Sequence, residues 1–205
     1  MFVEDYMTTK LVSVTEQDVL FQAVELMAQH RIRQLPVLDS AKRLTGILTD
    51  RDARAAFGFD RTLAEGLTVA EVMTPDPVTI QVSASLDEAM EVLHARRFGA
   101  LPVLRGRELV GIISYVDVLR AFSEVLGLDQ PGHALEIALP EGYADLSRTF
   151  QALEDVGGSV ISAVVSRLRR DGGEPSLYLR VAPGEAARIE RTLRNATLIV
   201  LRAEA

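Results

Sequence analysis

The first half of this chain is written twice. Met7-Thr8 recurs as Met73-Thr74, Val12-Ser13-Val14 as Val78-Thr79-Ile80, and Leu35-Pro36-Val37-Leu38 as Leu101-Pro102-Val103-Leu104, each 66 residues further on. Gly46-Ile47-Leu48-Thr49-Asp50-Arg51-Asp52 returns as Gly111-Ile112-Ile113-Ser114-Tyr115-Val116-Asp117, now 65 residues on. The lost residue falls between Asp39-Ser40-Ala41-Lys42-Arg43 and its counterpart Arg105-Gly106-Arg107-Glu108, a polar stretch that reads as a turn. A duplication of this length narrows the fold, because each copy is one supersecondary unit that needs the other to cover its apolar face.

Each copy carries the same alternation of periods. A short β-branched strand (residues 11–14; 78–80) precedes a helix with apolar residues Leu20, Ala23, Val24 and Met27 in one copy and Leu86, Ala89, Met90 and Leu93 in the other. That is the one-sided i, i+3, i+4, i+7 stripe of a packed helix. Two strands follow (residues 35–38 and 44–48; 101–104 and 109–113), joined by the polar turn. A second helix begins near Asp52 and near Asp117; in the second copy its apolar positions include Val118, Leu119, Phe122, Val125 and Leu126.

The pattern changes at Gly127-Leu128-Asp129-Gln130-Pro131-Gly132, a turn-rich linker. Beyond it we expect a strand at 134–139, a helix at 144–156 stopped by Gly157-Gly158, strands at 160–168 and 177–181 around the Asp171-Gly172-Gly173 hairpin signal, a helix at 183–194 opened by Pro183, and a last strand at 197–202. The order βαββαβ is the ferredoxin-like split βαβ. The expected organisation is a first repeat over 1–62, a second over 63–126, a linker over 127–133 and a C-terminal domain over 134–205.

Composition excludes several classes of function. With no cysteine there is no disulfide, thiolate metal site or cysteine nucleophile, which fits a reducing cytoplasm. A net charge of −7 leaves no basic excess for nucleic acid, and the run Arg167-Leu168-Arg169-Arg170 enters a hairpin tip next to Asp171 and Glu174, a solvated tip rather than a groove. No apolar run reaches the roughly 18 residues of a membrane span, and the acidic start Met1-Phe2-Val3-Glu4-Asp5 is not a secretory signal. His30, His94 and His133 lack metal-ligand spacing and read as exposed helix or linker residues. No Ser–His–Asp relay, P-loop or GxGxxG turn is present, which argues against an enzyme.

Met-Thr-x-x-Val-x-Val, a helix, Leu-Pro-Val-Leu and Gly-Ile-x-Thr/Ser-x-x-Asp together resemble the CBS domain, and their doubling resembles a CBS pair, or Bateman module, over residues 5–125. The C-terminal part resembles an ACT domain in size and order, and the combination is similar to the AcuB-type acetoin-utilisation proteins. The resemblance implies an α/β fold. Two βαββα repeats would pack with pseudo-two-fold symmetry, followed by a ferredoxin-like ACT domain. It also implies a homodimer, a cytoplasmic regulatory role on a protein target in acetoin or acetate metabolism, and no catalytic cofactor. In ACT domains that bind amino acids a glycine sits in the first strand–helix turn. Gly142 occupies that place, but Glu141 and Tyr143 depart from the usual Asp-x-x-Gly pattern, so a structural or dimerising role is expected for this domain.

Thr49-x-x-Asp52 and Ser114-x-x-Asp117 admit two readings. Each suits a capping box, in which hydroxyl and carboxylate satisfy the first amides of a helix. Each also suits a nucleotide. A helix N-terminus and a hydroxyl welcome a phosphate, and a carboxylate accepts from both ribose hydroxyls. Aliphatic neighbours (Val12, Val14, Ile32 and Leu35; Val78, Ile80, Phe98 and Leu101) are candidates to sandwich a base. In CBS pairs the matching Thr/Ser and Asp positions bind adenosine nucleotides (AMP, ADP or ATP) between the repeats. The resemblance therefore assigns Thr49 and Asp52 to one cleft and Ser114 and Asp117 to another, with Val12, Ile32, Leu35, Pro36, Ile80, Phe98, Gly99, Ala100 and Pro102 as walls. Arg31, Arg33 and Arg51 lie near the first motif, whereas Gly99 stands for Arg33 and Val116 for Arg51 in the second copy. Because a guanidinium forks onto phosphate oxygens, the better phosphate site is expected at Thr49 and Asp52, with Arg33 and Arg51 the candidate donors.

Overall fold

The computed structural model describes residues 1–58, 66–166 and 174–203. The expected repeat boundary at 62/63, the Asp171-Gly172-Gly173 turn and the Arg167–Arg170 tip lie outside them. Chain contacts divide the molecule into two compact units, Met1–Leu119 and Arg120–Ala205.

In the first unit the two copies adopt the same local structure. Helix α1 (Val3–Tyr6) is followed by β1 (Val14–Thr15), α2 (Leu20–His30), β2 (Gln34–Leu38), β3 (Leu44–Thr49) and α3 (Asp50–Phe57). The second copy gives β4 (Thr74–Pro75), β5 (Ile80–Gln81), α4 (Leu86–Arg96), β6 (Ala100–Arg105), β7 (Glu108–Ser114) and α5 (Tyr115–Val125). The first strand of each copy is shorter and later than the β-branched pattern predicts, because β2 offers only Val37 and Leu38 as partners and β6 only Val103 and Leu104. Pro36 sits in β2 just before that pairing begins, where a missing amide hydrogen costs no ladder bond. The β2–β3 and β6–β7 ladders each carry a register shift at the same place, Val37/Leu38 and Val103/Leu104.

The sheets are not assembled from contiguous copies. β4, which opens the second copy, adds to the edge of β3 in the first, pairing Thr74 with Ile47 and Pro75 with Gly46. In return Thr8, ahead of the first copy's own strands, bridges Ile112 of β7. The loan continues at the helix starts: the Leu20 amide donates to the Leu67 carbonyl and the Val3 amide to that of Ala84. Two glycines permit it. A Cβ at Gly46 would stand 2.4 Å from Met73 Sδ, and one at Gly111 2.5 Å from Met7 Sδ. Behind each sheet the helix stripes close a core, Leu20, Ala23, Met27, Leu35 and Leu48 in one lobe and Leu86, Ala89, Leu93, Leu101 and Ile113 in the other. Val3, fully buried, belongs to the second. On α5, Val118 is buried as its spacing predicts, but Leu119 is 56% and Val125 51% exposed, so that helix carries a second apolar edge besides its core face.

The second unit runs β8 (His133–Ala138), α6 (Tyr143–Asp155), β9 (Val160–Ser166), β10 (Ser176–Val181), α7 (Ala186–Asn195) and β11 (Val200–Ala203). The sheet order is β11-β8-β10-β9 with all neighbours antiparallel, the split βαβ topology that the element order predicts. Leu135, Ile137, Leu177 and Leu179 of the two central strands bury against Leu153 of α6 and Ile189 and Leu193 of α7. Gly157, at φ +60°, ends α6 as expected, and the Gly158 amide returns to the Leu153 carbonyl. Most bounds fall within one residue of expectation, but two starts come later. α7 starts at Ala186, since Pro183 and Gly184 form a turn with Gly184 at φ +81° and Glu185 occupies the position ahead of the helix. β11 starts at Val200, because Thr197 takes the left-handed conformation that ends α7. His133 opens β8 rather than lying in a loop.

Candidate functional site: a cleft between the two repeats

β3 delivers Thr49 to the N-cap of α3 in extended geometry. The Thr49 hydroxyl donates to Asp52 Oδ2 at 2.6 Å, the Thr49 amide donates to the same oxygen at 3.2 Å, and the Asp52 amide donates back to Thr49 Oγ1 at 3.1 Å. β7 does the same for α5: Ser114 Oγ donates to Asp117 Oδ2 at 2.6 Å, the Ser114 amide at 2.9 Å, and the Asp117 amide returns to Ser114 Oγ at 3.3 Å. The capping reading is therefore realised in both copies. In the first box every bond to the carboxylate goes to Oδ2, so Asp52 keeps Oδ1 outside the box.

The first box opens onto a cleft of about 850 Å3 formed by both copies. Repeat 1 contributes Arg33, Gln34, Ile47, Thr49, Asp50, Arg51 and Asp52; the other wall includes Thr74, Pro77, Val78, His94, Arg97, Phe98, Gly99, Ala100, Pro102 and Tyr115. The volume lies within the roughly 300–1,000 Å3 of small-molecule sites. α4 ends in a left-handed residue, Arg97 at φ +55°, and the Phe98 amide bonds back to the Leu93 carbonyl; that reversal brings both side chains to the cleft. Gly99 lies against the end of the Gln34 side chain, with a built Cβ 2.5 Å from Gln34 Nε2. His94 Nδ1 lies 3.2 Å from the Tyr115 hydroxyl within hydrogen-bond reach. Asp50 is taken up by an ion pair with Arg54.

Of the residues assigned from sequence, the cleft unites Thr49, Asp52, Arg51, Arg33, Val78, Phe98, Gly99, Ala100 and Pro102, while Val14 and Leu101 are buried in the lobes. Ser114 and Asp117 form their own box apart from this cleft. Leu35, Pro36 and Ile80 are buried in their strands. Val12 and Ile32 pack on the core of the first lobe, and Ile32 also lines a groove of about 360 Å3 with Arg31, Val24 and Phe57 that adjoins the cleft, sharing Arg33 and Asp50 with it. Sequence reasoning missed Gln34, Ile47, Asp50, Thr74, Pro77, His94, Arg97 and Tyr115. The signal was available in the repeat itself: a cleft between copies takes the motif of one and the wall of the other. Among the described residues no cluster of three or more His, Asp or Glu side chains suits a metal ion. None of their helices is long and apolar enough to cross a membrane.

Two copies of one βαββα unit, lending each other strands around a shared cleft, define a CBS pair. The chain belongs to the CBS-domain family, whose profile matches residues 3–58 and 69–124. It is 33% identical over 111 residues to inosine-5'-monophosphate dehydrogenase of Methanocaldococcus jannaschii, a match over 54% of this chain that spans only 21% of that enzyme. Among solved structures it resembles a Vibrio cholerae protein assigned to acetoin utilization (AcuB), at 32% identity and TM-score 0.57 over 64% of this chain and 98% of that one. It also resembles CBSX2 in complex with AMP, at 30% identity and TM-score 0.54 over 63% and 98%.

Proposed function

We propose that this protein is a non-enzymatic regulator that binds an adenine nucleotide (AMP, ADP or ATP) in the inter-repeat cleft. The observation that carries the reading is the meeting, in one cleft, of the Thr49–Asp52 box with three arginines and the Phe98–Gly99–Ala100 wall. Asp52 Oδ1 accepts from the ribose hydroxyls, the arginines hold phosphate, and Phe98 and Val78 cover the base. The AMP complex of CBSX2 supports the ligand class. The dehydrogenase likeness is confined to that enzyme's CBS portion and lends no catalytic role. By likeness to the Vibrio protein, the output is control of a partner in acetoin or acetate metabolism, in the cytoplasm. The C-terminal unit, read as an ACT domain, serves assembly. Exposed Val116 and Leu119 on α5 support a homodimer.

Calorimetric titration of the wild type, Asp52→Ala and Asp117→Ala with adenylates tests this. Both substitutions remove a cap and cost about 1 kcal/mol of stability. Only Asp52→Ala should also lose the roughly 2.7 kcal/mol that a ligand at 100 times its Kd adds. The competing reading, a scaffold whose boxes only cap helices, is favoured by the complete bonding of both boxes. It predicts equal losses in the two variants and no stabilisation by any adenylate.

A further inference from the structure

Three guanidinium groups line the cleft: Arg33 ahead of β2, Arg51 in the first turn of α3, and Arg97 at the end of α4. Among the described residues none of them has a carboxylate partner. Elsewhere Arg43 pairs with Asp39, Arg54 with Asp50, Arg148 with Asp145 and Arg194 with Glu190, while Arg31, Arg96 and Arg105, like the cleft arginines, have no carboxylate partner among the described residues; what sets Arg33, Arg51 and Arg97 apart is that they share one cleft. Of the two cleft carboxylates, Asp50 is neutralised by Arg54, and Asp52 gives one oxygen to its capping box. An acidic protein has thus gathered three guanidinium groups without ion-pair partners in one concavity, with only the Asp52 carboxylate beside them unpaired. Like charges held together in a cleft repel one another and concentrate the field on whatever enters. A single phosphate is satisfied by one bidentate guanidinium; three guanidinium groups on three separate elements call for a chain of them.

Resting on the nucleotide reading above, we infer that this cleft reads the number of phosphates on its ligand, with Arg33, Arg51 and Arg97 selecting a nucleoside triphosphate over the monophosphate. The asymmetry of the duplication confines the device to one cleft. The counterparts of Arg33 and Arg51 in the other copy are Gly99 and Val116, and Arg31, the counterpart of Arg97, does not line the cleft but a neighbouring groove of repeat 1 that shares Arg33 and Asp50 with it.

The test is calorimetry on the full chain in magnesium-free buffer, since the metal would mask phosphate charge. The probes are adenosine, AMP, ADP, ATP and inorganic tripolyphosphate, each with wild type, Arg33→Gln, Arg51→Gln and Arg97→Gln. All three arginines are exposed, so the variants should keep the wild-type melting temperature in the absence of ligand. ATP is expected to bind at least about tenfold more tightly than AMP, the equivalent of one charge-assisted contact. Arg97→Gln should erase most of that advantage and leave adenosine unchanged, and raised salt should weaken ATP more steeply than AMP. ATP and AMP binding within twofold of each other, or an ATP advantage that survives all three substitutions, overturns the inference while the nucleotide reading stands. Tripolyphosphate binding as tightly as ATP overturns the nucleotide reading and keeps the charge-counting. Silence from every probe at millimolar concentration removes both.

Discussion

A hydroxyl at position 49 and one at position 114 each give their hydrogen to the carboxylate three residues on, with near-identical geometry. The first faces an arginine-lined cleft; the second does not line it. The Thr/Ser-x-x-Asp spacing announced the boxes because capping is local. The cleft's far wall was only half legible: Phe98, Gly99, Ala100 and Pro102 could be named, but His94, Arg97 and Tyr115 depend on how one copy faces the other. The one-residue deletion between copies also has a local logic. In the longer turn Asp39 accepts from the Ala41 and Arg43 amides at 2.9 and 2.8 Å and from Arg43 Nε at 2.8 Å, with Lys42 at φ +60°. The shorter turn uses Gly106 at φ +65° instead. The Arg43 amide above all, then its side chain, holds the Asp39 carboxyl below its ordinary value of 3.8. A depressed carboxylate contributes stability above its unfolded pKa and loses it as pH falls through the folded one. Asp39→Asn should therefore be less stable than the wild type at neutral pH, and the gap should close below about pH 3.8, as chemical denaturation at stepped pH would read.

At the level of elements, the helices and the long strands of the duplicated half fall where their periodicities place them, because each buries one continuous stripe. The shortest strands do not, because their length is decided by the partner. β1 and β5 are trimmed to two residues each by what β2 and β6 offer. The pairing of Met-Thr segments with the opposite copy was invisible to a reading that takes each copy as its own unit. It makes the N-terminal segment part of the second lobe: Val3 is fully buried, and Met7 lies against Gly111. Deleting residues 1–9 should destabilise the second lobe by about 2 kcal/mol or more, the burial of the Val3 side chain and part of that of Met7. Urea unfolding would measure it, and an unchanged midpoint would contradict the assignment.

On the scale of the molecule, the change of pattern beyond the linker glycines announced the split βαβ element order, but the contact division falls within α5, between Leu119 and Arg120, ahead of the expected linker at 127–133. What an isolated chain leaves uncovered was not readable. α5 exposes Val116 to 73% and Leu119 to 56% on a helix whose other face is fully buried at Val118. If a second copy covers that edge, Leu119→Glu should convert a dimer to a monomer in light scattering, with the melting temperature of the resulting monomer depending no further on protein concentration. The interlaced strands bear on heredity as well as on stability. Grafting either half of the duplication onto another protein by cutting at its copied boundaries would strand β4 on one side and the Thr8 bridge on the other. A working graft would take residues 10–75 together, so recombination that respected the repeat would break the lobe, and only cuts made out of phase with it could carry a lobe away whole.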